Sequence, residues 1–509
     1  MKSVDCVTPL FSLCVPWLFL SLSIQCLLIP SYKSTDMDVH RYWKALTYSY
    51  PIQKWYTDTT SQWTLDYPPL FAWLEWFLAH LVAVVDKHLV QLDQLESTTL
   101  VDIWVMRSTV ILCDLFLAHA GYLHLSVFRK HLSALSDAQL SMMFCSLILQ
   151  PSLWMVDHIH FQYNGFLIAC LFYASYYYRM GQSTLFLLSI AILVLLKQTF
   201  FYIVPISLFA ITCQRYAQYH ETSWRSFISL WIQSSLLFIL FLSIGIFPWL
   251  YDWQQLKILQ SRLFPFDRGL LHAYWPPHFW AVYGCLDQLL SKLTKILFPH
   301  SWIASSRNIS SRGLIGIMKP FLLLPNPSPW ICHAMVVLGM LPSFYDLWKS
   351  RRMLLHPIHS MEVWMRALTI VFLSSFLFGW HVHEKAILMP QFCMIVLCWM
   401  NSDWLVGLGW ISTVATSCMF PLIFGCLERI VIMVWIIYPM ALLYSGMENR
   451  FRIFFFFHEI CTLGWVIGLP WIVQRWLPHY AFLPWMMLSG YGGMITCGVF
   501  YKVIMSTFD

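Results

Sequence analysis

FISLWIQSSLLFILFLSIGIFPWL, residues 227–250, runs for 24 positions without one charged side chain. About 20 apolar residues in a helix cover the ~30 Å hydrocarbon core of a bilayer. This stretch is therefore long enough to cross it with every backbone group paired inside the helix. Runs of the same kind lie on both sides of it. They are predicted near 9–29, 108–128, 139–156, 165–178, 183–196 and 199–213 before it, and near 330–348, 362–380, 386–400, 404–426, 430–445, 453–473 and 481–501 after it. The whole chain shares this character, being 59% hydrophobic, 17% aromatic and only 11% charged over 509 residues. Soluble domains carry roughly 25% charged residues. A water-soluble chain of this composition would expose apolar patches and aggregate. The expected class is an all-α polytopic membrane protein with about 14 (11–14) spans, organised as one integral membrane domain over 1–509.

An even number of spans puts both termini on one side. The short basic loops Arg129-Lys130, Lys349 to Arg352, and Arg450 with Arg452 then fall on that side too, as the positive-inside rule requires. Two long polar stretches, 30–107 and about 251–329, fall on the other. Within them, 68–85 reads as an amphipathic helix lying in the interface. Segment 279–298 reads as a loop helix because it holds Asp287, Lys292 and Lys295. Residues 9–29 read as an uncleaved first span, since only Lys2 precedes them as a basic residue and no Ala-x-Ala site follows.

Fifteen cysteines do not make a disulfide or zinc framework here. Cys113, Cys145, Cys170, Cys418 and Cys497 lie inside apolar runs, and no Cys-x-x-Cys occurs, so they read as small buried hydrophobes. The net charge of +6 is diffuse, which argues against a nucleic-acid partner.

Polar residues gather where apolar runs end. Ser34-Thr35-Asp36-Met37-Asp38-Val39-His40-Arg41 follows the first run. Its Asp36 and Asp38 can hold a metal, can act as base and positioning group, or can be solvated loop residues. Trp43, Trp55, Tyr56 and Trp63 follow; aromatic faces suit sugar rings and equally suit interfacial anchoring. In Asp66-Tyr67-Pro68-Pro69 the prolines set the entry of the next helix, and Asp66 is either a helix cap or a site residue. Asp157-His158-Ile159-His160-Phe161-Gln162-Tyr163-Asn164-Gly165 offers donors to phosphate or sugar; its two histidines alone fall short of a zinc set. His381-Val382-His383-Glu384-Lys385 can bind an anion, or Lys385 and Glu384 can pair. Arg262, Arg268, His272 and Trp275 stand in the second polar stretch, where arginines can grip phosphate oxygens. No Gly-rich nucleotide cradle is present, so a phosphate-bearing substrate is expected to be a lipid phosphate.

Taken in order, the motifs Asp36 to Trp43, Trp63 to Pro69, His158 to Gly165, Arg262 to Phe266 and His381 to Lys385 resemble those of the dolichyl-phosphate-glucose-dependent α-1,3-glucosyltransferases of N-glycan precursor assembly. Trp63-Thr64, His158-Ile159-His160, His272 to Trp275 and Gly379 to His383 bring the likeness nearest to the member that adds the second glucose. The resemblance implies a GT-C type fold in the endoplasmic-reticulum membrane, with both polar stretches and the active site in the lumen. It implies an inverting transfer from dolichyl phosphate β-glucose to a monoglucosylated, dolichyl-diphosphate-linked oligosaccharide, with Asp36 as base and no cofactor or metal. Asp38 stands where relatives commonly carry Glu. Asp38, Arg41, Trp43, Asp66, Tyr67, His158, His160, Gln162, Tyr163, Asn164, Arg262, Arg268, His272, Trp275, His381, His383, Glu384 and Lys385 are expected to bind substrate, with His383, Lys385 and the second-stretch arginines receiving the leaving phosphate. The sister enzyme adding the first glucose is the alternative within the family, and a polytopic transporter the alternative outside it.

Overall fold

The computed structural model describes residues 8–95, 97–132, 135–220, 223–264, 269–272, 275–299, 321–425, 427–434, 449–480 and 482–508. Among them the regular structure is helical, with no strand and one isolated parallel bridge, Leu271 with Val382. Eight described helical runs are long and apolar enough to cross a membrane: Leu10–Leu28, Asp137–Ile159, Gln198–Gln218, Trp224–Trp249, Pro329–Lys349, Pro357–Phe378, Ser402–Leu422 and Phe455–Trp476. Pro69–Val85 and Ser183–Leu196 are apolar but shorter. The expected segments 165–178, 386–400 and 481–501 are the helices Asn164–Arg179, Leu388–Met400 and Leu483–Met505. Segment 430–445 falls largely outside the described residues, as do Arg268 and the side chain of Arg450.

Exposure of these helices agrees with a lipid surround. In Trp224–Trp249 only 17% of the most apolar window is buried, and Ile228, Trp231, Ile232, Leu236, Ile239, Leu240 and Ile244 are open on its surface. Water would penalise each of those side chains by roughly 1.5–3 kcal/mol relative to burial. In Ser402–Leu422 the figure is 83%, so that helix is core. The chain is an all-α polytopic membrane protein.

The described residues divide into two compact units. The first is Met1–Phe264 with Leu347–Trp364 and Gly425–Glu428; the second is Pro265–Asp346 with Met365–Phe424 and Arg429–Asp509. In the first unit, α1 (Leu10–Leu28), α2 (Thr35–Ser49), α3 (Pro69–Val85), α4 (Leu100–His131), α5 (Asp137–Ile148), α6 (Asn164–Arg179) and α7 (Ser183–Leu196) follow in chain order. The main packings are α4 on α6, α6 on α7, α2 on α3 and α1 on α5.

The stretch 30–107 is far more ordered than a loop. Asp36 does not open a loop; it sits in the first turn of α2. Ser34 is the N-cap, its hydroxyl accepting from Met37 N at 3.2 Å. Asp36 and Asp38 then lie at the positive end of the helix dipole. α3 begins with Pro69 at its first position and Pro68 as N-cap, without a side-chain cap. Asp66 therefore does not cap α3: proline at the first turn has no N–H that needs an acceptor.

Where α1 ends, its last carbonyls lack helical partners. Arg107 of α4 supplies them, donating from Nη1 to Leu28 O and Ile29 O, both at 2.8 Å. Its Nη2 donates to Tyr32 O at 2.7 Å and to Ile159 O at 3.0 Å. One buried guanidinium thus joins the exit of α1 to the turn before α6.

In the second unit, Phe279–Leu297 is a helix, as the sequence suggested, and packs on Leu483–Met505. Its Asp287 is buried and accepts from the amides of Leu322, Leu323 and Leu324 at 3.1, 2.9 and 2.9 Å. Arg366 grips Asp346 through two hydrogen bonds, 2.7 and 3.0 Å long, pairing Pro357–Phe378 with Pro329–Lys349.

Candidate functional site

The helical run that starts at Asp137 ends in a π turn, Met155–Ile159. Phe161 follows with φ of 72°. A π turn inserts one residue into the helical register, and a left-handed phenylalanine is a strained position. Together they send neighbouring side chains different ways. His158 Nε2 lies 2.8 Å from Asp114 Oδ2, whereas His160 turns to α2. The two histidines therefore point to different partners, Asp114 and α2.

Asp36 is held from this turn. Gln162 Nε2 donates to Asp36 Oδ2, and His160 Nε2 lies 3.6 Å from the same oxygen. Ser34 donates to His160 O, and His160 Nδ1 is 3.2 Å from the Tyr32 hydroxyl. The Asp36 side chain remains 26% exposed. From Gln162 the polar contacts continue inward: Asn164 Nδ2 donates to Gln162 Oε1 at 3.1 Å and to Asp157 Oδ1 at 2.9 Å. The Gly165 amide donates to Asp157 Oδ2 at 2.6 Å. A Cβ on Gly165 would lie 2.1 Å from Asp114 Oδ1, so a side chain there would have to displace the Asp114 carboxylate. Asp38, one residue on from Met37, pairs outward with Lys33 at 2.6 Å.

One turn further along α2 the environment changes. His40 Nδ1 is 2.5 Å from Glu75 Oε1, and Lys44 Nζ donates to Glu75 Oε2 at 2.7 Å. Lys44 also donates to the Tyr163 hydroxyl at 2.9 Å, which is 2.7 Å from Thr109 Oγ1. His40, Lys44, Glu75 and Tyr163 are all buried. Burial by itself would raise the Glu75 carboxyl, but Lys44 and His40 outweigh it and hold the group below its ordinary range. Burial, with Glu75 nearby, pushes the Tyr163 phenol well up. This quartet fixes α2 against α3 and α4.

Several residues expected to face substrate are instead packed. Arg41 is 1% exposed; it donates to Ser97 O, to Gln94 O at 3.1 Å and to His88 O at 3.3 Å. Burial lowers its pKa even with Asp102, Asp38 and Asp86 around it. Asp86, His88 and Asp102 bring three possible ligand atoms together, but Arg41 stands 4.0 Å from Asp102 and already supplies the positive charge. Trp43 is buried and donates to Trp63 O at 3.0 Å. Trp55 and Tyr56 are buried as well, so the aromatic segment supports the fold rather than displaying ring faces. Trp63, Asp66 and Tyr67 are half-buried. Arg262 reaches this segment, donating to Thr64 Oγ1 at 2.9 Å and to Tyr56 O at 3.4 Å.

The second unit holds the other cluster. His272, His381 and His383 bring ring nitrogens within 4.8 Å of one another, and they are the described residues best placed to hold a metal ion there. The His272 and His383 rings lie 3.8 Å apart. His272 Nδ1 is 3.2 Å from Glu384 Oε2. Burial would raise the Glu384 carboxyl, but His272 and Lys385 bring it down to about 2. His381 has φ of 52° and donates from its backbone to Leu270 O at 3.1 Å. Trp275 also has φ of 52°, and it is core, 1% exposed, rather than a displayed ring. Three of the four described non-glycine residues with positive φ, Phe161, Trp275 and His381, thus lie in the motifs singled out from sequence.

Glu75, Lys44 and Asp114 escaped the sequence reading. Each lies inside an apolar or helical run, and nothing local marks its partner. Lys197, at the end of α7, escaped it too. Its Nζ donates to Asn164 Oδ1 at 3.2 Å and sits 5.7 Å from the Tyr67 ring centre. The only local signal was a lysine closing an uninterrupted apolar run.

The helices define a polytopic membrane protein. Within the first unit, Asp36 stands in the first turn of α2, braced by Gln162 and His160. The chain belongs to the ALG6, ALG8 glycosyltransferase family, matched over residues 21–503. The GT-C type architecture implied by the motifs is that of this family. Among similar proteins, a dolichyl pyrophosphate Glc1Man9GlcNAc2 alpha-1,3-glucosyltransferase of Gibberella zeae is 33% identical over 507 residues, 95% of this chain and 97% of the relative. The mouse protein of the same name is 32% identical over 493 residues, 92% and 90% of the two chains. A Drosophila melanogaster protein described as a probable enzyme of that name is 31% identical over 503 residues, 95% and 91% of the two.

Proposed function

We propose that this protein transfers glucose from dolichyl phosphate β-D-glucose to the monoglucosylated dolichyl-diphosphate-linked oligosaccharide, making an α-1,3 linkage in the endoplasmic-reticulum membrane with its active site facing the lumen. The names of its relatives support the acceptor and linkage. The observation that carries the chemistry is Asp36: a half-exposed carboxylate, fixed by Gln162 at the start of a helix whose next turn is locked in a buried ion network.

Asp36 accepts the proton of the acceptor's 3-hydroxyl while that oxygen attacks the anomeric carbon. A positioned base contributes about 10²–10⁴-fold. A β donor and an α product require one displacement with inversion, which needs one such carboxylate and no covalent glycosyl intermediate. Developing positive charge on the sugar is stabilised by the same carboxylate. Gln162 and His160 orient it. The reaction proceeds without metal or cofactor.

Purified protein in detergent, given the donor and two lipid-linked acceptors, tests this. Transfer to the acceptor with one terminal glucose is the expected result. Transfer to the unglucosylated acceptor alone would move the protein to the preceding step. No transfer to either, with folded protein and intact donor, would overturn the enzyme reading.

A further inference from the structure

Two of the sequence motifs meet on a residue that belongs to neither. Lys197 closes α7. It donates to Asn164 of the Gln-Tyr-Asn-Gly motif at 3.2 Å and lies over the ring of Tyr67 from the Asp-Tyr-Pro-Pro motif. Gln198, next to it, donates to Asp66 O at 3.1 Å, tying the same turn to that motif. From Lys197 three hydrogen bonds in series lead to Asp36, through Asn164 Oδ1 and Nδ2, Gln162 Oε1 and Nε2. Asn164 and Gln162 are buried, whereas Lys197 and Asp36 at the two ends are half-exposed.

That order, a carboxylate at one end and an ammonium at the other, is what a single displacement needs. The base sits one hydrogen bond from the attacking oxygen, and the reacting atoms approach at about 3–3.5 Å. The phosphate departs on the far side, so a cation that receives it lies on the order of 10 Å from the base. Other described basic residues near α2 are engaged with partners of their own. Lys44, Arg41 and Arg107 are buried among their own partners. Lys33 pairs with Asp38, and Arg262 donates to Thr64 and Tyr56.

We propose that Lys197 is the leaving-group cation of the transfer. This rests on the glucosyl-transfer reading above and names a residue for its second half. As the acceptor oxygen bonds to the anomeric carbon, the bond from that carbon to the phosphate oxygen breaks. The electron pair goes to the phosphate, the acceptor's proton goes to Asp36, and the Lys197 ammonium balances the added negative charge. Asn164 and Tyr67 position the ammonium; Gln162 holds base and cation in one register.

The test uses the full chain in detergent with donor and monoglucosylated acceptor. Lys197→Gln is expected to lower kcat by about 10²–10³-fold and to weaken inhibition by dolichyl phosphate at least tenfold. Lys197→Arg restores most of both. Unchanged kcat and unchanged inhibition in Lys197→Gln would overturn the assignment while wild-type transfer still stands. A wild type that transfers nothing would instead remove the reading on which it rests. If Lys197→Gln does not fold, footprinting of the wild type decides. Citronellyl phosphate should slow amine acylation of Lys197 at least tenfold and citronellol should not; equal acylation in both overturns the proposal.

Discussion

The two ends of α2 teach different things about charge. In its first turn, Asp36 and Asp38 are half-exposed and face Gln162 and His160 or a surface lysine. Within two further turns, His40, Arg41 and Lys44 are buried and hydrogen-bonded to partners in the fold. The residues are near neighbours in sequence and equally ionisable. Accessibility separates chemistry from scaffold here, since a buried charge must be paired to exist at all.

The sharpest way to break this division is Asp36→Asn. It should cut kcat by about 10²–10⁴-fold and leave the thermal midpoint in detergent almost unmoved; retained turnover would remove Asp36 as base. Glu75→Gln should do the reverse. Leaving Lys44 charged and unpaired costs about 3–5 kcal/mol, read as a large drop in the unfolding midpoint. Pairing it with Lys44→Met should recover much of that loss, which an independent role for each residue would not allow.

Acid distinguishes the same two ends more gently. Glu75 is held below its ordinary value in the fold, so its stabilisation is complete at neutral pH and fades as pH falls through and below the ordinary carboxylate range. Wild-type protein should lose stability between pH 6 and pH 3, and Glu75→Gln should lose less over that interval. A parallel decline in both would show that Glu75 is not the titrating group.

Asp38→Asn should matter least among the substitutions. Its partner Lys33 is 29% exposed, and such surface pairs contribute about 0–1 kcal/mol; a large loss of turnover would give Asp38 a direct role in the site. Dialysis against EDTA is expected to leave transfer unchanged. Loss on chelation, restored by a divalent cation, would make His272, His381 and His383 a metal site.

Much of the fold was legible in sequence because hydropathy is a local property. Ser183–Leu196 matches its expected span residue for residue, and a helix stands at Phe279–Leu297 where one was expected over 279–298. α2 was readable but was taken for a loop. Ser34 followed by Asp36 and Asp38 is a helix-start pattern, obscured by the aromatic, polar run beyond it. The motif positions were legible as well: Asp36, His160, Gln162 and Asn164 do come together. Their division of labour was not. Arg41, Trp43, His158, Tyr163 and Trp275 carry the same residue types as site groups, yet all are buried.

By itself the sequence determined that this chain lives in a bilayer, where its helices run, and which short motifs hold its polar residues. Those follow from transfer free energy and spacing along one strand of polymer. Only the tertiary structure decided which polar residue meets which. Glu75 finds Lys44 across 31 positions, His158 finds Asp114 across 44, and Gln162 finds Asp36 across 126. A π turn and a left-handed Phe161 set the last of these, and partners that distant are chosen by packing, which no local pattern encodes.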